Sequence, residues 1–238
     1  MVATLIDPSL GYVVEFCGLP GAGKSTLARA VVAQLRLRSV PTTEVMATLG
    51  PDAPRVARVT RKLGAVLSGI REPGSARVAT DVALRSAQQD RRDRLARPAN
   101  LLVVRHAVMR AHRRPGVHVL DQGPLQEWWS AALRADDARV LEMAAHDRAP
   151  HAHLVVRVRA PIEVLVDRLA DRGARQSRLE ALDRASRADE LRRGGSLLAA
   201  LIDQLVHSPD PESPTVLTVD GLDPTACETI VDAVVGSR

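Results

Sequence analysis

Residues 18–26 read GLPGAGKST and satisfy the pattern G-x-x-x-x-G-K-[ST] at every position. Gly18, Gly21 and Gly23 let the main chain bend until successive N–H groups face one point, and such a nest takes an anion. Ala22 and Thr26 belong to the same cradle. The helix expected after the loop aims its positive end at the same point. Lys24 supplies a compact ammonium for outer phosphates, and Ser25 a hydroxyl suited to Mg²⁺. Of 33 basic residues only Lys24 and Lys62 are lysine, so a lysine here stands against the habit of the chain. A planar guanidinium would not fit the cradle as an ammonium does. The plain alternative is a tight glycine turn between a strand and a helix. A dinucleotide fingerprint is disfavoured, because Gly21-Ala22-Gly23 is followed by Lys-Ser-Thr and not by a third glycine or alanine. The loop therefore implies nucleoside triphosphate binding.

A cradle of this kind needs a strand before it and a helix after it. Residues 11–17 (GYVVEFC) are an apolar run that reads as a buried strand, and 24–38 carry Leu27, Ala30, Val31 and Leu35 at helical spacing. Further strands are expected over 39–46, 117–123 (VHVLDQG), 153–160 (HLVVRVRA) and 215–221 (TVLTVDG). Helices are expected over 54–70, with Leu63, Val66, Leu67 and Ile70 on one face; over 75–97, charged, exposed and stopped by Pro98; and over 99–113, 125–147, 161–173, 197–206 and 224–236. Alternation of this kind predicts a three-layer α/β fold with a five-stranded parallel sheet in one domain, 1–238. Ligands in such sheets sit beyond the carboxyl ends of the strands.

Other chemistry-bearing residues fall at those ends. Asp121 closes the apolar strand at 117–121 and could hold a Mg²⁺-bound water or take a proton from an acceptor hydroxyl; a turn residue capping the next helix is the alternative. Glu44, near the end of the second strand, competes for the role of base. Gln122 and Gln126 are candidate acceptor ligands. Arg168 and Arg172, four apart, share a helix face, with Arg175 and Arg178 following Gly173. Guanidiniums closing over a triphosphate would neutralise charge on the transferred group, whereas interleaved Asp167 and Asp171 suit an ordinary solvated helix. Region 174–193 is expected as an arginine-rich lid, and 47–115 as a helical region on the acceptor side. Arg55 and Arg58 read as the shoulder of their helix. Arg91, Arg92 and Arg94, alternating with Asp90 and Asp93, read as an exposed salt-bridged face. Trp128 and Trp129 read as core.

With these residues the chain resembles the P-loop kinases of the thymidylate and adenylate kinase type. The phosphate loop, the strand ending at Asp121, HLVVRVRAPIEVLVDRLADRG at 153–173 and TVLTVDG carry the resemblance. It implies strand order 2-3-1-4-5, ATP and Mg²⁺ as cofactors, and transfer of the γ-phosphoryl group to a small acceptor, a nucleotide or nucleoside. Lys24, Asp121, Arg168 and Arg172 would then be catalytic, with Ser25 and Asp121 at the metal. Asp121 is followed by Gln122-Gly123 where thymidylate kinases have Arg-Tyr, and 71–75 (REPGS) spells their acceptor string one helix too late. Between residues 17 and 127 there is no aromatic to stack an acceptor base. A water acceptor, or a sugar or antibiotic-like alcohol, remains open.

Composition narrows the classes further. The formal net charge is +5, which draws anionic ligands, but only 2% of residues are aromatic. Stacking on single-stranded nucleic acid is hardly available, so nucleic acid is not expected as a partner. Cys17 and Cys227 form no disulfide framework or metal knuckle. No apolar run is long enough to span a membrane, and residues 1–9 carry no basic, apolar leader, so a cytoplasmic location without membrane partners is expected. A homodimer is left open.

Overall fold

A computed structural model describes residues 10–46, 55–88, 90–147, 149–171, 178–207 and 213–236; of 55–59, 61, 92 and 178 it describes the backbone alone. Strand β1 (Gly11–Gly18) is buried at every residue, as a strand covered on both faces must be. It lies at the centre of a five-stranded sheet in the order β2-β3-β1-β4-β5, with β2 Thr42–Glu44, β3 Gly116–Leu120, β4 Leu154–Arg159 and β5 Thr215–Asp220. All pairings are parallel. Because β1 has β3 on one side and β4 on the other, the connections diverge from its carboxyl end and leave a crevice there.

Side chains of β1 alternate between two cores. Tyr12, Val14 and Phe16 meet helices α1 (Lys24–Leu37), α7 (Ile162–Ala170) and α9 (Ala226–Gly236) through Leu35, Leu165 and Ile230. Val13 and Cys17 meet α4 (Arg91–His112), α5 (Pro124–Ala132) and α8 (Arg184–Val206) through Val104, Trp129 and Leu198. Trp128 and Trp129 are both buried, as expected. Helices α2 (Arg55–Arg71) and α3 (Ser75–Arg85) pack outside α4, and α6 (Asp137–Ala145) beside α5. A β-carbon on Gly69 would stand 2.5 Å from the Leu102 carbonyl, so that glycine permits the close crossing of α2 and α4. No helix among the described residues is long and apolar enough to cross a membrane.

Three helix expectations are corrected. The helix expected over 75–97 ends at Arg85, and a new one starts at Arg91. Two residues of the break, Ser86 and Gln88, are buried and held: Ser86 Oγ donates to the Val82 carbonyl, and Gln88 Nε2 to the Ala131 carbonyl at 3.0 Å. Pro98 stops nothing but sits inside α4, where it removes one backbone bond that burial of Leu101, Val104 and Val108 outweighs. The helix expected over 125–147 is two, because Asp136 caps the second through the Arg139 N–H. The apolar stripe of α2 is only partly covered, with Leu63, Leu67 and Ile70 exposed.

The second core also encloses charge. Arg105 pairs with Asp147 and donates to Ser75 Oγ at 2.9 Å. Asp147 further accepts from Trp128 Nε1 (3.2 Å) and the Ala149 N–H (3.1 Å), so the ion pair is satisfied on both sides. Glu15 stands on the same face of β1, 3% exposed. Burial pushes its carboxyl up to about 8, with the Glu127 charge adding and the Gln126 and Leu125 N–H groups opposing. On the first face His153 accepts the Val13 N–H at 2.9 Å, and burial, helped by His112, lowers it to about 4.

Two outcomes are expected. Replacing Asp147 with alanine strands the Arg105 guanidinium and the Trp128 N–H; it should cost about 3–5 kcal/mol in urea unfolding. For pH, Glu15 binds its proton more tightly in the folded state, so its contribution falls as pH rises from about 4.5 to about 8. His153 acts oppositely, being lost as pH falls from 6.5 to about 4. The two offset below pH 6.5. Above it the urea midpoint should decline, and Glu15→Gln should shrink that slope by up to about 1.4 kcal/mol per pH unit.

Candidate active site

The end of β1 turns into the glycine loop. Gly21 (φ 88°) and Gly23 (φ 93°) adopt left-handed conformations that a side chain would strain. The Ala22 N–H donates to the Leu19 carbonyl at 3.2 Å, and α1 opens on Lys24 with the Leu27 N–H on the Gly23 carbonyl at 2.9 Å. Lys24 Nζ reaches back over the loop, donating to the carbonyls of Gly18 (2.7 Å) and Leu19 (3.1 Å). From α7, Arg168 Nη1 donates to the Gly21 carbonyl at 3.0 Å. A β-carbon on Gly221 would stand 2.4 Å from the Ala22 carbonyl, so the turn after β5 braces the loop from the other side.

Asp121, the residue after β3, is half-buried, and its Oδ2 accepts from Ser25 Oγ at 2.9 Å. A hydroxyl and a carboxylate brought together at the mouth of a phosphate-sized nest are hard oxygen donors of the kind Mg²⁺ takes beside phosphates. The residues present fit that ion.

Beyond the loop lies a cleft of about 930 Å³. Gly21, Lys24, Ser25 and Gln122 form one wall; Lys62 of α2, Arg97 and Asn100 of α4, and Glu127 and Trp129 of α5 form the other. The far wall is tied together by polar contacts. Lys62 Nζ donates to Asn100 Oδ1 (2.6 Å), and Arg97 donates to Ser130 Oγ (2.6 Å) and Asp93 Oδ1 (3.3 Å). Glu127 Oε2 lies 3.9 Å from Arg97 Nη1. Burial raises the Glu127 carboxyl above the usual carboxylate range, with Arg97, Asn100 and Lys62 opposing. Arg97 Nε and Glu127 Oε2 are buried in this wall without a hydrogen-bond partner in the protein. Arg134, also in the cleft, is loosely paired with Glu190 at 3.9 Å.

The residues singled out in the sequence divide. Lys24, Ser25, Asp121 and Arg168 converge on the loop. Gln122 is exposed in the cleft. Gln126 is buried and its Oε1 accepts the Gly18 N–H at 3.1 Å. Glu44 ends β2 in register with Val119, half-buried, and is not among the residues lining the cleft. Arg172 and Arg175 lie outside the described residues, as does much of the region around them. Of the lid region, 174–177 are likewise outside, 178–181 form a 3-10 turn whose Leu179 and Ala181 line the cleft, and the rest begins the 23-residue helix α8. Asp93 is not on an exposed salt-bridged face: it is 4% exposed and pairs with Arg97.

Sequence reasoning passed over Arg187. It is 7% exposed and donates to four carbonyls: Leu179 (2.9 Å), Val166 (3.2 Å), Glu180 (3.2 Å) and Leu182 (2.8 Å). One guanidinium thus pins the 3-10 turn to the helix that carries Arg168. The available signal was its spacing, since Arg187, Leu191, Gly194 and Leu198 share a buried stripe of α8. Asp93, Arg97 and Asn100 at helical spacing, with Glu127 after the turn at 121–123, were legible in the same way.

A parallel sheet in the order 2-3-1-4-5 with this loop after its central strand defines the P-loop kinase superfamily, and the protein has that fold. Residues 13–193 match the family model described as AAA domain, so the chain belongs to that family. No curated protein matches it in sequence. Similar solved structures include deoxyadenosine kinase from M. mycoides with products dCMP and a flexible dCDP, and the same enzyme with dCTP; each has a TM-score of 0.52 at 12% identity, over 95% of this chain and 100% of that one. The dATP-bound form matches at 0.52 and 14% identity, over 93% and 98%.

Arg187→Met leaves four carbonyls without their donor. Amide exchange in 179–182 should accelerate at least tenfold, while β1 exchanges as before.

Proposed function

We propose that the protein is an ATP-dependent phosphotransferase that moves the γ-phosphoryl group to a hydroxyl or phosphate of a small acceptor, a nucleoside or nucleotide. The observation that carries this reading is the meeting of Ser25 and Asp121 at 2.9 Å beside the glycine loop, facing a wall of polar side chains across the cleft. The likeness in fold to a deoxyadenosine kinase supports a nucleoside or nucleotide acceptor.

In this reading Lys24 leaves the Gly18 and Leu19 carbonyls for the β- and γ-phosphates, and the loop N–H groups and the start of α1 hold the rest of the tail. Ser25 would hold Mg²⁺, with Asp121 orienting its water shell; the ion supplies charge neutralisation on the phosphates. Arg168, already at the loop, and the arginines expected after it would balance charge on the transferred group. The far wall, Lys62, Arg97, Asn100 and Glu127, would orient the acceptor. Asp121, which meets Ser25 at the loop, would take the acceptor's proton in preference to Glu44, which stands off the cleft. Positioning and exclusion of water do most of the work.

The test is transfer of label from γ-labelled ATP to a panel of nucleosides, nucleoside monophosphates, sugars and amino alcohols. A labelled nucleoside or nucleotide product is expected; acceptor-independent release of phosphate as the only product would overturn the reading in favour of a hydrolase. Lys24→Ala should lower transfer at least a thousandfold. Asp121→Asn should lower kcat about a hundredfold while changing ATP affinity only a few-fold, as read by steady-state kinetics and calorimetry.

A further inference from the structure

Helix α5 carries Glu127, Trp129 and Ser130 of the acceptor wall, yet it starts without a cap of its own. Gly123 precedes Pro124 and has no side chain to answer the N–H groups of the first turn. They are answered from the central strand. Glu15 Oε1 accepts the Gln126 N–H at 3.2 Å, and the Leu125 N–H also bonds to the Glu15 carboxyl. The fit is close: a β-carbon on Gly123 would stand 2.2 Å from Glu15 Cδ. A cavity of about 50 Å³ lies beside Glu15.

Seated in this way, Gln126 turns its side chain to the phosphate loop. Its Oε1 accepts the Gly18 N–H at 3.1 Å in a buried contact. Three residues further on, Gly21 begins the left-handed part of the nest. The start of α5 is thus joined to the end of β1 twice, by its own backbone on Glu15 and by a side chain on Gly18. An apolar residue at 126 would leave the Gly18 N–H buried and unanswered, and the loop would shift to find an acceptor.

We propose that Gln126, held by Glu15, is a positioning residue for the phosphate loop, setting the loop and the acceptor wall from a single helix. Gln126 also lines the cleft, but its side-chain oxygen is taken by the loop, so the role assigned to it is to position the loop and not to bind the acceptor. The inference rests on reading the cleft as a phosphotransfer site, and it accounts for a buried glutamate in the middle of the central strand that the chemistry does not use.

Calorimetry with Mg-ATPγS on the full-length protein tests it, together with the KM of whichever acceptor the labelled screen returns. Gln126→Leu should weaken Mg-ATPγS at least tenfold and leave the acceptor KM within twofold. Should that variant fail to fold, Gln126→Met, of similar length and without an oxygen, carries the same expectation. Glu15→Leu should weaken Mg-ATPγS in the same direction, and adding it to Gln126→Leu should cost little more, because both cut one strut. Glu15→Gln, which keeps the acceptor oxygen, should restore affinity to within twofold of wild type. A rise in acceptor KM alone would make Gln126 an acceptor ligand and overturn the proposal, as would unchanged affinity in both Gln126 variants. A wild-type protein that fails to bind Mg-ATPγS would instead sink the phosphotransfer reading itself.

Discussion

Between Gly18 and Lys24 the main chain gives up its regular partners. A strand buried on both sides must end, and a helix must begin, within a few residues that lie outside both regular hydrogen-bond ladders. Such a segment stands only if the surroundings hold it, and they do so from every direction. Arg168 takes the Gly21 carbonyl, Lys24 those of Gly18 and Leu19, and Gln126 the Gly18 N–H, while the turn at Gly221 lies against Ala22. Helices α1, α5 and α7 and the end of β5 are placed by contact with one loop, so the position of the cleft walls follows from how that loop is braced.

The core tells a complementary story. With four aromatic side chains, the sheet is covered by Val, Leu, Ile and Ala, and Phe16 is the one large ring in the first core apart from Tyr12. Small residues pack closely but leave few large shapes to fix orientation. Orientation on the second face comes instead from buried polar bonds: Trp128 on Asp147, Trp129 Nε1 on the Gly194 carbonyl at 2.7 Å, and Gln88 on Ala131. In each of these contacts a buried N–H has its acceptor, and a donor answered in this way favours one arrangement of the helices.

What could be read in advance followed from period and from local rule. Strand β1, the loop and α1 were legible to within a residue, because an apolar run, three glycines and a helical repeat meet with no competing signal. The strand order came from resemblance and the fold class from alternation. Helix boundaries between 75 and 147 were not legible. A proline inside α4 and a break at 86–90 are settled by what α5 and α3 press against, not by propensity. Of the residues that gather at the loop, Lys24 and Ser25 could be named from the glycine motif, Asp121 from the end of an apolar strand, and Arg168 from its helix face. Gln126 could be named, but its partner could not, since a contact across more than a hundred residues leaves no trace in spacing. Arg187 and Glu15 look like errors in apolar stripes until the carbonyls and N–H groups they serve are seen.

Those four carbonyls around Arg187 carry a consequence for how the edge of the cleft responds to its surroundings. A cation whose acceptors are neutral dipoles has no carboxylate to protonate and no exposed counter-charge for dissolved ions to shield. Nearby, Arg184 leans on Asp167 and Arg193 on Asp137 across solvent, bonds that brine or acid would loosen. The four bonds of Arg187 therefore depend less on ionic strength and acidity than the surface contacts that flank them.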